Sequence, residues 1–272
     1  MTYALRNIAI NAHVDHGKTA LVGAMLRNSG AIRDNQRVAE RALDSNELER
    51  ERGITILAKP TSITWGDLRI NIVDTPGHAD FGGEVERILS MVDGVLVLVD
   101  AAEGAMPQTK FVTPKALALG LKPIVVINKI DRADARPNEV LDEVFDLFAV
   151  LGASEDQLDF PYLFASAKQG WASNDPSTRG TDLTPLFEVI RDHVAPPIGD
   201  VSAPFSMLVS LLDADPYLGR VLTGRIHAGA ITFNQTIKAL RGGGEKVESG
   251  RATKLLAFRG LERVPVERAE AG

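Results

Sequence analysis

Four short apolar runs, rich in β-branched residues, limit most strongly what this chain can fold into. They are NIAIN (7–11), RINIV (69–73), GVLVLV (94–99) and PIVVIN (123–128), each followed closely by polar or glycine residues. Continuous runs of this length read as strands buried on both faces rather than as amphipathic surface strands. PYLFA (161–165) is a weaker fifth. Helix-length stretches separate them, at 18–28, 84–91, 108–119, 139–151 and 184–193. In the fourth of these Val140, Leu141, Val144, Phe145, Leu147, Phe148 and Leu151 form an apolar stripe with acids opposite. Strand and helix alternate, which predicts an α/β fold: a doubly wound, mostly parallel sheet with helices on both faces.

Two regions break the rhythm. Residues 30–60 are long, charged and sparse in apolar side chains, as expected of a functional loop. Around Val194-Ala195-Pro196-Pro197-Ile198-Gly199 the chain becomes turn-rich, and FSMLVSLL, GRVLTGRIHAG, ITFNQTIKAL, ATKLLAFRG and ERVPV follow. These read as a small all-β, barrel-like module. The expected domains are therefore 1–197 and 203–272, in keeping with 272 residues at ~150 per domain. There is no internal repeat and no low-complexity tract.

Several function classes drop out. A net charge of −6 removes non-specific attraction to nucleic acid or anionic membrane as a driving force. No cysteine is present, so disulfides, thiolate metal sites and a cysteine nucleophile are excluded. No apolar run reaches the ~18 residues of a membrane span, and the start MTYALRNIAINAHVD lacks the pattern of a secretion signal. A cytoplasmic monomer with no membrane or DNA partner is expected.

The chemistry gathers at strand ends. The first strand runs into Ala12-His13-Val14-Asp15-His16-Gly17-Lys18-Thr19 and then Ala20, opening a helix. This is the phosphate-loop pattern G-x-x-x-x-G-K-[ST], with Ala12 at the first glycine position. Gly17 lets backbone approach phosphate, and successive N–H groups at a helix N-terminus hold anionic oxygens. Lys18 suits the β- and γ-phosphates and the Thr19 hydroxyl suits Mg²⁺. By average usage about one chain in ten of this length carries Gly-Lys-Ser/Thr by chance, so the flanking strand and helix carry the assignment.

Asp74-Thr75-Pro76-Gly77-His78 follows RINIV. Asp74 suits Mg²⁺ held through water, and Gly77 offers an N–H to the γ-phosphate. Asn128-Lys129-Ile130-Asp131 ends PIVVI. The acceptor-only carboxylate of Asp131 matches the guanine N1–H and 2-amino donors, which adenine lacks as a pair. Ser166-Ala167-Lys168, after the fifth strand, supplies a backbone N–H for the guanine O6. Singly the last three are weak; Asp74 and the Asn-x-x-Asp tetrapeptide also suit helix capping. Together they stand in order at the carboxyl ends of successive strands, where open α/β sheets bind ligands. Coincidence of all four falls below about one in a thousand. The arrangement implies a P-loop domain that binds GTP or GDP with Mg²⁺.

The same residues resemble the translational GTPases. Arg52-Gly53-Ile54-Thr55-Ile56 and Asp74 to Phe81 resemble that family's two switch regions. DSNELERERGITILAK, FGGEVERILSMVDGVLVLVDAAEG, PIVVINKIDRADARPNEVLDEVFDLF and QLDFPYLFASAKQGWA resemble its BipA/TypA branch. The resemblance implies that Thr55 completes Mg²⁺ coordination only with the γ-phosphate present, and that His78 orients the attacking water. It implies an apolar gate from Val14 and Ile54, and a monovalent cation beside Asp15. His13 and His16 are expected as structural members of the loop. It also implies a ribosomal partner, slow intrinsic hydrolysis accelerated there, and further domains beyond residue 272, leaving the β module without its closing strand. Two readings stay open: a nucleotide-binding module without turnover, and an elongation factor G- or LepA-type GTPase. Asp131 disfavours an ATP-using P-loop enzyme, and the ordered loops disfavour a scaffold.

Four positions depart from an ideal design. Ala20 stands where the family usually has a second threonine, which predicts weaker binding by about 1 kcal/mol. Asn11 puts an amide inside an apolar strand. Gly23 should cost ~1 kcal/mol against alanine in a helix, and Pro114 is expected to remove one helical bond and kink its helix.

Overall fold

The computed structural model describes residues 4–30, 59–76 and 82–272. The chain divides into two compact units, residues 1–196 and 197–272.

In the first unit the apolar runs form a seven-stranded sheet in the order β2-β3-β1-β4-β5-β6-β7. The strands are β1 (Ala4–Ala12), β2 (Pro60–Trp65), β3 (Leu68–Asp74), β4 (Gly94–Asp100), β5 (Lys122–Asn128), β6 (Tyr162–Ser166) and β7 (Trp171–Ser173). The inner five, β3-β1-β4-β5-β6, pair in parallel, and β2 and β7 close the edges antiparallel. All seven residues of β4 are buried, so both of its faces are covered. That burial is why its sequence shows no alternation.

The helices are α1 (Lys18–Asn28), α2 (Gly82–Leu89), α3 (Pro107–Ala118), α4 (Pro137–Val150), α5 (Glu155–Leu158) and α6 (Thr184–His193). Helix α3 runs unbroken with Pro114 inside it. The missing N–H leaves only the Lys110 carbonyl without its helical donor, a loss that packing through buried Val112, Thr113, Ala116 and Leu117 absorbs. The edge strands β2 and β7 and the single turn α5 were not foreseen. Helix α5 is held by a capping box: Ser154 Oγ accepts from the Gln157 N–H, and Gln157 Oε1 accepts from the Ser154 N–H. Buried Gln157 then donates to the Leu117 and Leu121 carbonyls, closing the end of α3.

The second unit is all β. Strands β8 (Ser206–Asp215) and β9 (Gly219–Ala228) form a long hairpin, and β11 (Thr236–Leu240) pairs with β12 (Lys246–Arg251). Strand β13 (Leu256–Arg259) pairs with β14 (Glu262–Pro265), and β10 (Ala230–Thr232) with β15 (Arg268–Glu270). The run ITFNQTIKAL divides into β10 and β11 at Asn234, which takes φ 63°. Asparagine tolerates that left-handed conformation better than most residues. Of this unit only Ser210, Gly229 and Ile231 are buried. Among the described residues no helix is long and apolar enough to cross a membrane.

Candidate nucleotide site

Strands β1, β3, β4, β5 and β6 all point their carboxyl ends to one rim, and that rim carries the site. The phosphate loop leaves β1 with Asp15 at φ 62° and Gly17 at φ 96°. A Cβ on Gly17 would also collide with the Asn128 side-chain amide, so glycine is required twice over. Helix α1 starts at Lys18 with no side chain capping it. Its first N–H groups are therefore presented at the positive end of the helix dipole, a ready cradle for phosphate oxygens. The Val14 N–H is engaged by Gln108 Oε1 at 2.9 Å, tying the loop to the start of α3.

Lys18 Nζ lies 2.6 Å from Asp74 Oδ1 and donates to the Thr75 carbonyl at 3.0 Å. Thr75 is pinned beside β1 through its hydroxyl, 2.8 Å from the Ile10 carbonyl. Thr19 is the second residue of α1 and Asp74 ends β3, and their hydroxyl and carboxylate oxygens are the hard donors Mg²⁺ selects. Among the described residues no group of three or more His, Asp or Glu could hold a metal alone. That donor set fits an ion that keeps waters and phosphate oxygens as its other ligands.

Asn128, fully buried at the end of β5, binds the loops together. Its Nδ2 donates to the His16 carbonyl at 2.8 Å, and its Oδ1 accepts from the Ala167 N–H at 2.9 Å. The Ala167 N–H is thereby spent. Of Ser166-Ala167-Lys168 it is the Lys168 N–H that the described residues leave without a backbone or side-chain acceptor. Asp131 is exposed and makes no ion pair or side-chain hydrogen bond among the described residues.

His16 is wholly buried, and its Nδ1 accepts from the Asp100 N–H at 3.3 Å. Its Nε2 sits 3.4 Å from a Glu103 carboxylate oxygen. Burial pushes its pKa below the ordinary imidazole value despite the neighbouring acids. The His13 ring packs edge-on against it, centroids 5.2 Å apart. Both histidines therefore pack against the loop's own framework.

Sequence reasoning missed Asp100 and Gln108. Asp100 carried a signal: like Asp74 and Asn128, it is the polar residue that ends an apolar inner strand. Gln108 carried none. Thr55, Ile54, Gly77 and His78 lie outside the described residues.

A helix-capped phosphate cradle, a hard-oxygen pair and an exposed carboxylate on one rim define a P-loop nucleotide-binding protein. Residues 3–196 match the model of the elongation factor Tu GTP-binding domain, and the chain belongs to that family of GTPases. Among curated relatives it is 55% identical, over 98% of its length and 44% of theirs, to the large ribosomal subunit assembly factor BipA of Bacillus subtilis. It is 57% identical to the protein of that name from Haemophilus influenzae, over 98% of this chain and 44% of that one. These likenesses put it on the BipA/TypA branch of the translational GTPases. The chain spans less than half the length of these relatives. Among solved structures, elongation factor SelB of Methanococcus maripaludis, crystallised with the GTP analogue GppNHp, superimposes with a TM-score of 0.71 at 23% identity. That match covers 100% of this chain and 50% of the other and shows a shared fold.

Proposed function

We propose that the chain binds GTP and Mg²⁺ and hydrolyses the γ-phosphate as a switch that works on the ribosome. The observation that carries this reading is Asn128. One buried side chain bonds both the phosphate loop and the Ser166-Ala167-Lys168 loop, which supports a single mononucleotide spanning the two.

In this reading the loop from His13 to Ala20 holds the phosphates. The N–H groups of Asp15 and of Gly17 to Ala20 supply the cradle, while that of His16 is donated to the His13 carbonyl. Lys18 neutralises charge developing on the β–γ bridge. Thr19 and Thr55 would hold Mg²⁺, with Asp74 reaching it through water. The ion supplies charge neutralisation for a loose phosphoryl-transfer transition state. Gly77 donates its N–H to the γ-phosphate. His78 orients the attacking water, Val14 and Ile54 form the apolar gate in front of it, and Asp15 takes the monovalent cation. Asp131 accepts from the guanine edge and Lys129 flanks it, while the Lys168 N–H serves the O6. The relatives' name as large ribosomal subunit assembly factors supports a ribosomal partner and a cytoplasmic site of action.

Calorimetric titration with GDP, a non-hydrolysable GTP analogue and ATP tests the binding step. Guanine nucleotides should bind and ATP should not; equal binding of ATP overturns the assignment. Single-turnover hydrolysis with and without ribosomes tests the chemistry. His78→Ala should keep nucleotide affinity and lose the stimulated rate, and an unchanged stimulated rate removes His78 from its role. Binding with no turnover under either condition would leave a nucleotide-binding module only.

A further inference from the structure

One heavily bonded carboxylate on this rim has no part in the proposed phosphate chemistry. Asp100 ends β4, the strand that separates β1 from β5 and hence the phosphate loop from the Asn128–Asp131 loop. It is wholly buried, and all its acceptor capacity is taken. Oδ1 accepts from the Ala102 N–H at 2.7 Å and from the Glu103 N–H at 3.3 Å. Oδ2 faces Lys129 Nζ at 2.7 Å and accepts from Arg132 Nη1 at 3.3 Å. Arg132 in turn clasps Asp134 with two parallel bonds of 2.9 and 2.8 Å. Burial opposes ionisation of Asp100, yet the Lys129 ammonium and the two backbone N–H groups hold its carboxyl below the ordinary range.

The residues that Asp100 grips, Lys129 and Arg132, bracket Asp131. Lys129 takes φ 62°, a backbone conformation that a non-glycine residue holds only when its surroundings impose it. Asp131 itself has no anchor among the described residues. The carboxylate meant to read the base is therefore placed by the residues around it: Ile130, whose N–H donates to the Ala165 carbonyl at 3.3 Å, and Lys129 and Arg132, both of which are tied to Asp100. The backbone of the same residue reaches the other loop, its N–H donating to His16 Nδ1.

We propose that Asp100 is the positioning residue for base selection: its buried carboxylate clamps Lys129 and Arg132 so that Asp131 stands where both guanine donors can reach it. The proposal rests on Asp131 as the base selector. An amide at this position tests it sharply. Asparagine keeps one acceptor oxygen for Ala102 and Glu103, but turns an NH₂ toward two cationic donors.

The experiment compares affinities for GDP and IDP, which lacks the 2-amino group, in the full chain carrying Asp100→Asn. The parent protein should prefer GDP. Asp100→Asn should lose at least about tenfold in GDP affinity and shrink the GDP-to-IDP ratio severalfold, because a displaced Asp131 forfeits the 2-amino bond first. Arg132→Ala, on the exposed side of the clamp, should shrink the ratio in the same direction. Its effect should not add to that of Asp100→Asn in the double variant. Should Asp100→Asn fail to fold, Arg132→Ala alone decides. A proportional fall for both nucleotides, or an unchanged ratio, makes Asp100 a structural residue and overturns the proposal. A parent protein that binds GDP and IDP alike refutes the reading of Asp131, and with it the need for a positioning residue.

Discussion

Replacing Asn11 with leucine should stabilise the nucleotide-binding unit. Asn11 is fully buried in β1, the strand between β3 and β4, and neither Oδ1 nor Nδ2 finds a partner among the described residues. The hydroxyls of Thr109 and Thr113, one turn apart on α3, are buried without a partner as well. A buried polar group left unbonded costs about 1–3 kcal/mol, and replacing it with an apolar side chain of the same branching recovers most of that. Imperfect fit of the branched side chain takes back up to about 1 kcal/mol, leaving a net gain of about 1–2 kcal/mol. For a unit of this size each kcal/mol moves Tm by roughly 2–4 °C, so the melting temperature should rise by about 2–8 °C. Differential scanning calorimetry reads this directly, with nucleotide fixed at one saturating concentration because ligand binding shifts Tm by mass action. Thr109→Val should move Tm the same way by a smaller amount. A lower Tm for Asn11→Leu would show that the amide is satisfied in solution, and the reasoning from its isolation would be refuted.

Other substitutions probe different parts of the molecule. At Gly23, in α1, an added Cβ would meet only Arg27 Nη1 at 3.6 Å, so Gly23→Ala should stabilise by about 1 kcal/mol in urea denaturation. Asp131→Asn should move preference from guanine to xanthine nucleotides, whose 2-oxo group wants a donor; competition binding with XDP checks it. Stability should also depend on pH. Burial lowers the pKa of both His16 and His193 below 6.5, so the unfolded chain binds more protons just below that value. Their contribution is complete above pH 6.5 and is lost as pH falls through the lowered folded values. A Tm–pH series should slope upward in that window, and His16→Gln should flatten it.

The inner strands and the turn into α1 were legible because burial on both faces and the left-handed backbone at Gly17 each demand a narrow choice of residues. The helix expected at 18–28 is α1 with the same limits, since a glycine before it and an apolar face within it leave little freedom. Strand β2 was illegible for a physical reason. PTSITW is an edge strand with one partner, and its buried Thr61 and Ser62 mimic loop composition. Strand β7, with three residues, is too short to show a period. At the site, chemistry that repeats across proteins could be read, whereas contacts specific to the packing could not. Lys129 reads as a nucleotide residue, but only coordinates show it held 2.7 Å from Asp100. Likewise Ser166-Ala167-Lys168 does not announce that Asn128 takes the Ala167 N–H.

Asn128 has one further consequence. An aspartate there would keep the bond from Ala167 but aim a negative oxygen at the His16 carbonyl, and a leucine would release both loops at once. The position therefore admits no conservative replacement: in the proposed binding mode it is the pin that joins the grip on a nucleotide's charged tail to the fit of its aromatic head.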